Sequence, residues 1–193
     1  MDRNKEARLH WIYVLGGRDL RAEARRWQLA KKAAGKSYAV VAARLDETPS
    51  GKLKRVASED VLYLYACPTG STPGAVGQSA KRPADLAALL RAEGLNRNHR
   101  DLKLFISHSG DIVSGVPTAV SYAEQLHNSM KDTYQNLVVY GYLGEVSPRG
   151  FYAHKSAGLE PGEAVERMAG ESWQARRLRA KDNRVRFPAE SAK

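Results

Sequence analysis

The sequence predicts an α/β fold with a mostly parallel central sheet of about six strands flanked by helices. Short β-rich apolar runs alternate with helix-length amphipathic stretches along most of the chain. Glycine, proline and serine mark the changes from one kind of run to the next. The chain has 193 residues, of which 42% are hydrophobic and 27% charged. That length suits one generous domain, which buries roughly 70% of its unfolded surface without disulfide or metal staples.

LHWIYVL (9–15) reads as a buried strand that ends at Gly16-Gly17. Asp19 then caps a helix whose Leu20, Ala24, Trp27 and Ala34 share a face, with Gly35 as its stop. SYAVVAA (37–43) is a second strand, and Thr48-Pro49-Ser50-Gly51 after it is a turn or flap. VLYLYA (61–66) is a third strand, followed by the loop CPTGSTPGAVGQSAKRP. Pro83 and Asp85 open a short helix carrying Leu86, Leu89 and Leu90, closed by Gly94. DLKLFIS (101–107) is a fourth strand running into HSGDIVSGVP. TAVSYAEQLHNSM (118–130) is helical, with Val120, Ala123, Leu126 and Met130 on one face. NLVVYGYL (136–143) is a fifth strand, with GFYAHK (150–155) paired to it as a hairpin. The α/β domain covers 1–160, and 161–193 reads as a C-terminal helix grading into a basic tail.

The composition excludes collagen-like, low-complexity and fully disordered chains. A single cysteine, Cys67, excludes an internal disulfide and multi-cysteine zinc sites, and suits a reducing compartment. No apolar run approaches the roughly 20 residues that cross a bilayer. The opening MDRNKEARLH is charged where a secretory signal turns apolar, so none is expected. The net charge of +10 is concentrated at the ends: residues 1–32 carry +5, residues 171–193 carry +4, and the stretch between them +1. Basic termini of this kind dock polyanions or acidic surfaces, or are solvated, frayed ends.

Neither a Walker loop, a GxGxxG nor a GxSxG follows any strand, and the histidines lack HExxH spacing, so no metal is expected. In parallel sheets the loops leaving the carboxyl ends of strands build the functional crevice. The loop after the third strand begins at Cys67, and the loop after the fourth at Ser107-His108. Sequential strands are commonly neighbours, so Cys67 and His108 are expected to face each other across adjacent loops. A thiolate beside an imidazole is a nucleophile with its base. Ser107 is the alternative nucleophile. The plainer reading makes Cys67 a small core hydrophobe and His108 a loop residue.

From about Asp60 to Lys155 the layout resembles the caspase-like cysteine peptidases, most closely the self-processing protease domain of large bacterial toxins. In that family a strand ends in a catalytic histidine followed by a glycine-rich loop. A Leu/Ala-rich helix and a strand like LKLFIS come next, with the catalytic cysteine at that strand's end. A helix like SYAEQLHNSM and a hairpin of the YGYLGEVSPRGFYAHK kind complete the unit. In this chain the histidine position holds Cys67 and the cysteine position falls on Ser107, so neither catalytic residue carries over by identity.

The resemblance implies a diverged effector or toxin-type hydrolase or acyl transferase acting on protein. Such a protein is cytoplasmic in its producing bacterium and delivered by a specialised secretion system. The alternative is a catalytically inactive module that docks acidic protein, nucleic acid or a membrane surface through its basic termini. The family's link to inositol polyphosphate implies Lys52, Lys54, Arg55 and Lys155 as phosphate contacts, with no cofactor required.

Overall fold

The structure is a computed structural model that describes residues 8–43, 47–66, 81–112, 120–143, 146–147, 155–156 and 184–188. Its elements run β1 (His10–Leu15), α1 (Arg18–Ala33), β2 (Tyr38–Ala43), β3 (Val61–Ala66), α2 (Pro83–Ala92), β4 (Asp101–Phe105), α3 (Tyr122–Met130) and β5 (Val138–Tyr142). Then come β6 (Val146–Ser147), β7 (Lys155–Ser156) and β8 (Arg184–Phe187). The main sheet has six strands in the order β2-β1-β3-β4-β5-β8. Its first five strands are parallel, and β8 closes the edge antiparallel to β5. Among the described residues no helix is long and apolar enough to cross a membrane.

Strands buried on both faces need apolar residues at consecutive positions, which is why β3 reads VLYLYA with all six residues buried. One face carries Tyr13, Leu15, Leu62, Leu64, Leu102, Leu104 and Val139, packed on Leu86 and Leu90 of α2 and on Ala123, Leu126 and Met130 of α3. The opposite face carries Ile12, Val14, Tyr63, Tyr65, Phe105 and Tyr142 against Ala24 and Trp27 of α1. Trp27 meets Tyr63 edge-on, with ring centroids 5.2 Å apart, and lies 4.7 Å from Phe105. Burying these large rings stabilises the sheet by roughly 2–3 kcal/mol each.

Three connections differ from the sequence reading. Helix α1 is capped by the backbone of Gly17, and Asp19 sits in the first turn, where its charge favours the helix dipole. At the other end Ala34 is exposed beyond the last turn and leaves the apolar face to Ala24 and Trp27. Helix α3 begins at Tyr122 because Ser121 caps it, its hydroxyl accepting from Glu124 N at 3.1 Å, so Val120 stays outside and exposed. The segment after β5 pairs Val146 and Ser147 with Lys155 and Ser156 as a separate two-stranded ladder, while β5 itself pairs with Arg184–Phe187. Part of the stretch read as a basic tail is therefore the edge of the main sheet. Alternating basic residues, unlike an apolar run, carry no strand signal of their own, but they suit an edge. The expected helix from 161 lies outside the described residues.

The segment between β2 and β3 is anchored from beneath. Buried Glu93, just past α2, accepts hydrogen bonds from Lys52 N at 2.7 Å, Ser50 N at 3.2 Å and the Tyr13 hydroxyl at 3.1 Å. Its own carbonyl accepts from Leu53 N at 2.9 Å. Burial, followed by the Glu93 charge, pushes the Tyr13 phenol well above its usual range.

Candidate active site

β1 lies between β2 and β3, so the chain leaves β1 in one direction first and in the other later. Such a reversal opens a crevice beyond the carboxyl ends of the strands. β3 and β4 run parallel and in register, Tyr65 beside Phe105. The chain that leaves β4 does so as Ile106-Ser107-His108-Ser109-Gly110-Asp111, and this turn is held on every side.

Ser109 is fully buried; its hydroxyl donates to Leu104 O at 3.0 Å and accepts from Tyr142 N at 2.9 Å. Its carbonyl accepts from Ala123 N at 2.9 Å, tying the turn to the start of α3. Gly110 N donates to Tyr142 O at 2.9 Å. A Cβ at Gly110 would stand 2.9 Å from the Gly141 carbonyl carbon, and one at Gly141 would stand 2.7 Å from Gly110 Cα. Two backbones cross here at a distance only glycines allow.

This anchorage presents His108 in the left-handed region, at φ +61°, which costs a non-glycine residue backbone strain and is found chiefly at functional sites. Its Nδ1–H donates to Asp111 Oδ2 at 2.5 Å, and Asp111 N donates back to the His108 carbonyl at 3.2 Å. The imidazole side chain is 40% exposed and the carboxylate 26%. A carboxylate on Nδ1 selects the tautomer whose Nε2 lone pair accepts protons. Among the described residues Nε2 has no hydrogen-bond partner.

Of the expected site residues, Cys67 lies outside the described residues; it is the next residue in the chain after Ala66, the last of β3. Ser107 is engaged elsewhere: its hydroxyl donates to Val146 O at 3.4 Å and accepts from Val146 N at 3.1 Å, which holds β6 against the β4 turn. Both of its hydrogen-bonding capacities serve the backbone, and neither meets His108. Lys52 donates to Glu47 at 2.6 Å and to Ala42 O at 3.1 Å, so its charge is already balanced by a carboxylate. Lys54 and Arg55 are exposed, the stem of Lys54 crossing Gly51 and Gly94. Lys155 lies in β7, and its side chain is outside the description. Among the described residues no three His, Cys, Asp or Glu side chains converge as metal ligands.

Asp111 is the member of this cluster that sequence reasoning passed over. Its signal was present: an acid three residues after a histidine, in a turn just past a buried strand. No protein-family model matches the chain, and no curated protein or solved structure matches it.

Proposed function

We propose that this protein is a diverged, caspase-like cysteine hydrolase or acyl transferase acting on protein or peptide, with Cys67 as nucleophile, His108 as base and Asp111 orienting the base. The single observation that carries the reading is the His108–Asp111 pair, held on a strained, fully anchored turn at the carboxyl edge of β4, next to the strand that Cys67 follows. A rigid imidazole with a carboxylate on Nδ1 and its Nε2 unused is the proton acceptor that a thiol nucleophile needs. Ser107 is a poor nucleophile in comparison, because its hydroxyl serves Val146. In the reaction the thiolate adds to the substrate carbonyl and the departing amine takes its proton from His108. Water then releases the acyl group from sulfur.

The test reads the only thiol in the chain. Iodoacetamide is expected to alkylate native Cys67 with an apparent pKa well below the free-thiol value of about 8.5. His108→Ala should return the profile to that value, and Asp111→Asn should move it part of the way. A peptidyl electrophile should label the wild-type chain and fail on His108→Ala. A native thiol that reacts only after unfolding would make Cys67 a core residue and remove the enzymatic reading.

A further inference from the structure

The main sheet has two edges of different composition. β8 closes one edge with RVRF, whose alternating arginines discourage further pairing. β2 forms the other edge with YAVVAA, which has no charged residue and no proline. Its pairing with β1 turns the N–H and C=O groups of Ala39, Val41 and Ala43 inward, as the bonds from His10 N to Ser37 O and from Gly16 N to Ala43 O require. The same groups of Tyr38, Val40 and Ala42 therefore point away from the sheet. Long polar side chains cover two of these outward carbonyls: Gln28 Nε2 donates to Tyr38 O at 2.8 Å and Lys52 Nζ to Ala42 O at 3.1 Å. Among the described residues the Val40 carbonyl and the outward N–H groups of Tyr38, Val40 and Ala42 have no hydrogen-bond partner. The residues of β2 up to Ala42 are only half-buried, whereas β3 is buried throughout.

The flank beside this edge is cationic. Arg21, Arg25, Gln28 and Lys32 stand at i, i+4, i+7 and i+11 of α1, so they form one stripe along the helix. The bond from Gln28 to Tyr38 shows that this stripe faces β2. The acids of α1, Asp19 and Glu23, stand on the other flank, where Glu23 accepts from the Tyr65 hydroxyl of β3. The ion pairs among the described residues leave out Arg21, Arg25 and Lys32, and Arg21 Nε is buried without a hydrogen-bond partner among them. Glu47 is already taken up by Lys52, the side chain that covers Ala42 O. Open backbone groups, apolar side chains and a stripe of unbalanced cations together fit an extended chain that brings carboxylates. Nucleic acid would meet the cations and leave the backbone groups unused. A second copy paired across a two-fold axis would set two basic stripes side by side.

We propose that the β2 edge binds an extended acidic segment of a partner protein, which adds a strand to the sheet. Its backbone pairs with Tyr38, Val40 and Ala42 and displaces the Gln28 and Lys52 side chains from the carbonyls they cover. Its side chains alternate between the two faces of the sheet. Those beside Tyr38, Val40 and Ala42, on the α1 face, are carboxylates that meet Arg21, Arg25 and Lys32. Those beside Val41, on the opposite face, are small or apolar. β2 is six residues long. The ladder therefore spans about 20 Å and takes about six residues of the partner. β1 and β3 separate β2 from β4 and its His108 turn, so a peptide bound here leaves the proposed active site open.

Fluorescence anisotropy of the full chain with a labelled peptide of alternating glutamate and valine, about eight residues long, tests the proposal. The wild-type chain is expected to bind it. Two versions of the peptide are N-methylated at alternate amides, one in each phase. The version whose methyl groups face β2 keeps its charge but cannot form the ladder, and should bind about tenfold more weakly. Val40→Pro should have the same effect, because the Val40 N–H points outward and a proline there removes no bond to β1. Arg25→Glu with Lys32→Glu, both on exposed residues, should weaken binding about tenfold at low salt and little at about 1 M salt. Circular dichroism and thermal melting check that the variants fold; if Val40→Pro does not, the N-methylated peptides test the ladder on wild-type protein. Wild-type chain that does not bind, both N-methylated peptides bound like the parent, or a charge-reversed variant that binds like wild type would each overturn the proposal. An oligothymidylate bound as tightly as the peptide would overturn it in favour of nucleic acid. A wild-type dimer that Val40→Pro dissociates would overturn it in favour of a second copy. Cys67 alkylation, measured on the same variants, should not change, which separates this proposal from the one on the active site.

Discussion

The carboxylate of Glu93 is the residue on which the β2–β3 connection depends. It is 1% exposed, yet three donors satisfy it, two of them backbone N–H groups of the connecting segment. A buried charge with full hydrogen bonding stabilises a fold, whereas donors stripped of their acceptor are costly. Glu93→Ala is expected to lower stability by about 3 kcal/mol, because the Tyr13 hydroxyl and two amides lose their partner together. Glu93→Gln, which keeps an oxygen of the same reach, should cost less. Urea titration of both variants checks the order, and an alanine variant as stable as wild type would show that the segment finds other acceptors. Composition did not disclose this role: a glutamate capping the end of a helix usually faces solvent, and only the return of the chain from β2 brings donors to it.

At the scale of elements, the sequence was most informative where a local rule decides the outcome. Pro83 begins α2, as its fixed φ and missing N–H allow, and Gly94 follows that helix at φ +81°. The Ser121-x-x-Glu124 spacing begins α3, although apolar periodicity alone would have started the helix earlier. A cap overrides periodicity here because it satisfies amides that would otherwise lack partners. Ser121→Ala should therefore destabilise the protein by about 1 kcal/mol, and Ser121→Asp should restore most of it. Thermal melting of the pair checks this, and an alanine variant equal to wild type would mean that α3 is held by its packing on β5 alone. The pairing of β5 with β8 is the opposite case. It joins residues more than forty positions apart through a basic strand, so no local rule could announce it.

For the whole molecule, His10, His99 and Lys103 each contribute to the pH dependence, alongside buried and half-buried tyrosines such as Tyr13, Tyr38 and Tyr142 whose raised phenols oppose Lys103 at the alkaline end. His10 is lowered from 6.5 to about 4, mainly by burial. His99, fully buried with its ring between the carbonyls of Ala57 and Asp101, is lowered in the same direction and for the same first reason. A folded-state pKa below the unfolded value means that the unfolded chain binds more protons between the two, so stability falls as pH drops from 6.5 toward 4. Lys103, lowered from 10.5 to about 8, makes stability rise with pH between those values, because the folded state loses its buried charge first. Lys103→Met is expected to flatten the alkaline rise and to stabilise the chain at pH 7. Urea midpoints across both windows check this, and an alkaline rise unchanged in the variant would locate its source elsewhere.

The sequence by itself determined the alternation of strands and helices, the five parallel strands within a residue or two at most ends, and the placement of His108 just beyond β4. These depend on apolar runs and on glycine, proline and cap positions, all of which act within a few residues of themselves. Tertiary structure alone decided that β8 closes the sheet and that Ser107 serves the β6 backbone. It also decided that the turn after β4 is anchored on Tyr142 and Ala123 and that Lys103 stands between two tyrosines contributed by neighbouring strands. Each of these is a contact whose free energy is realised only when distant segments meet or a turn is held from outside, and such contacts leave no period in the sequence.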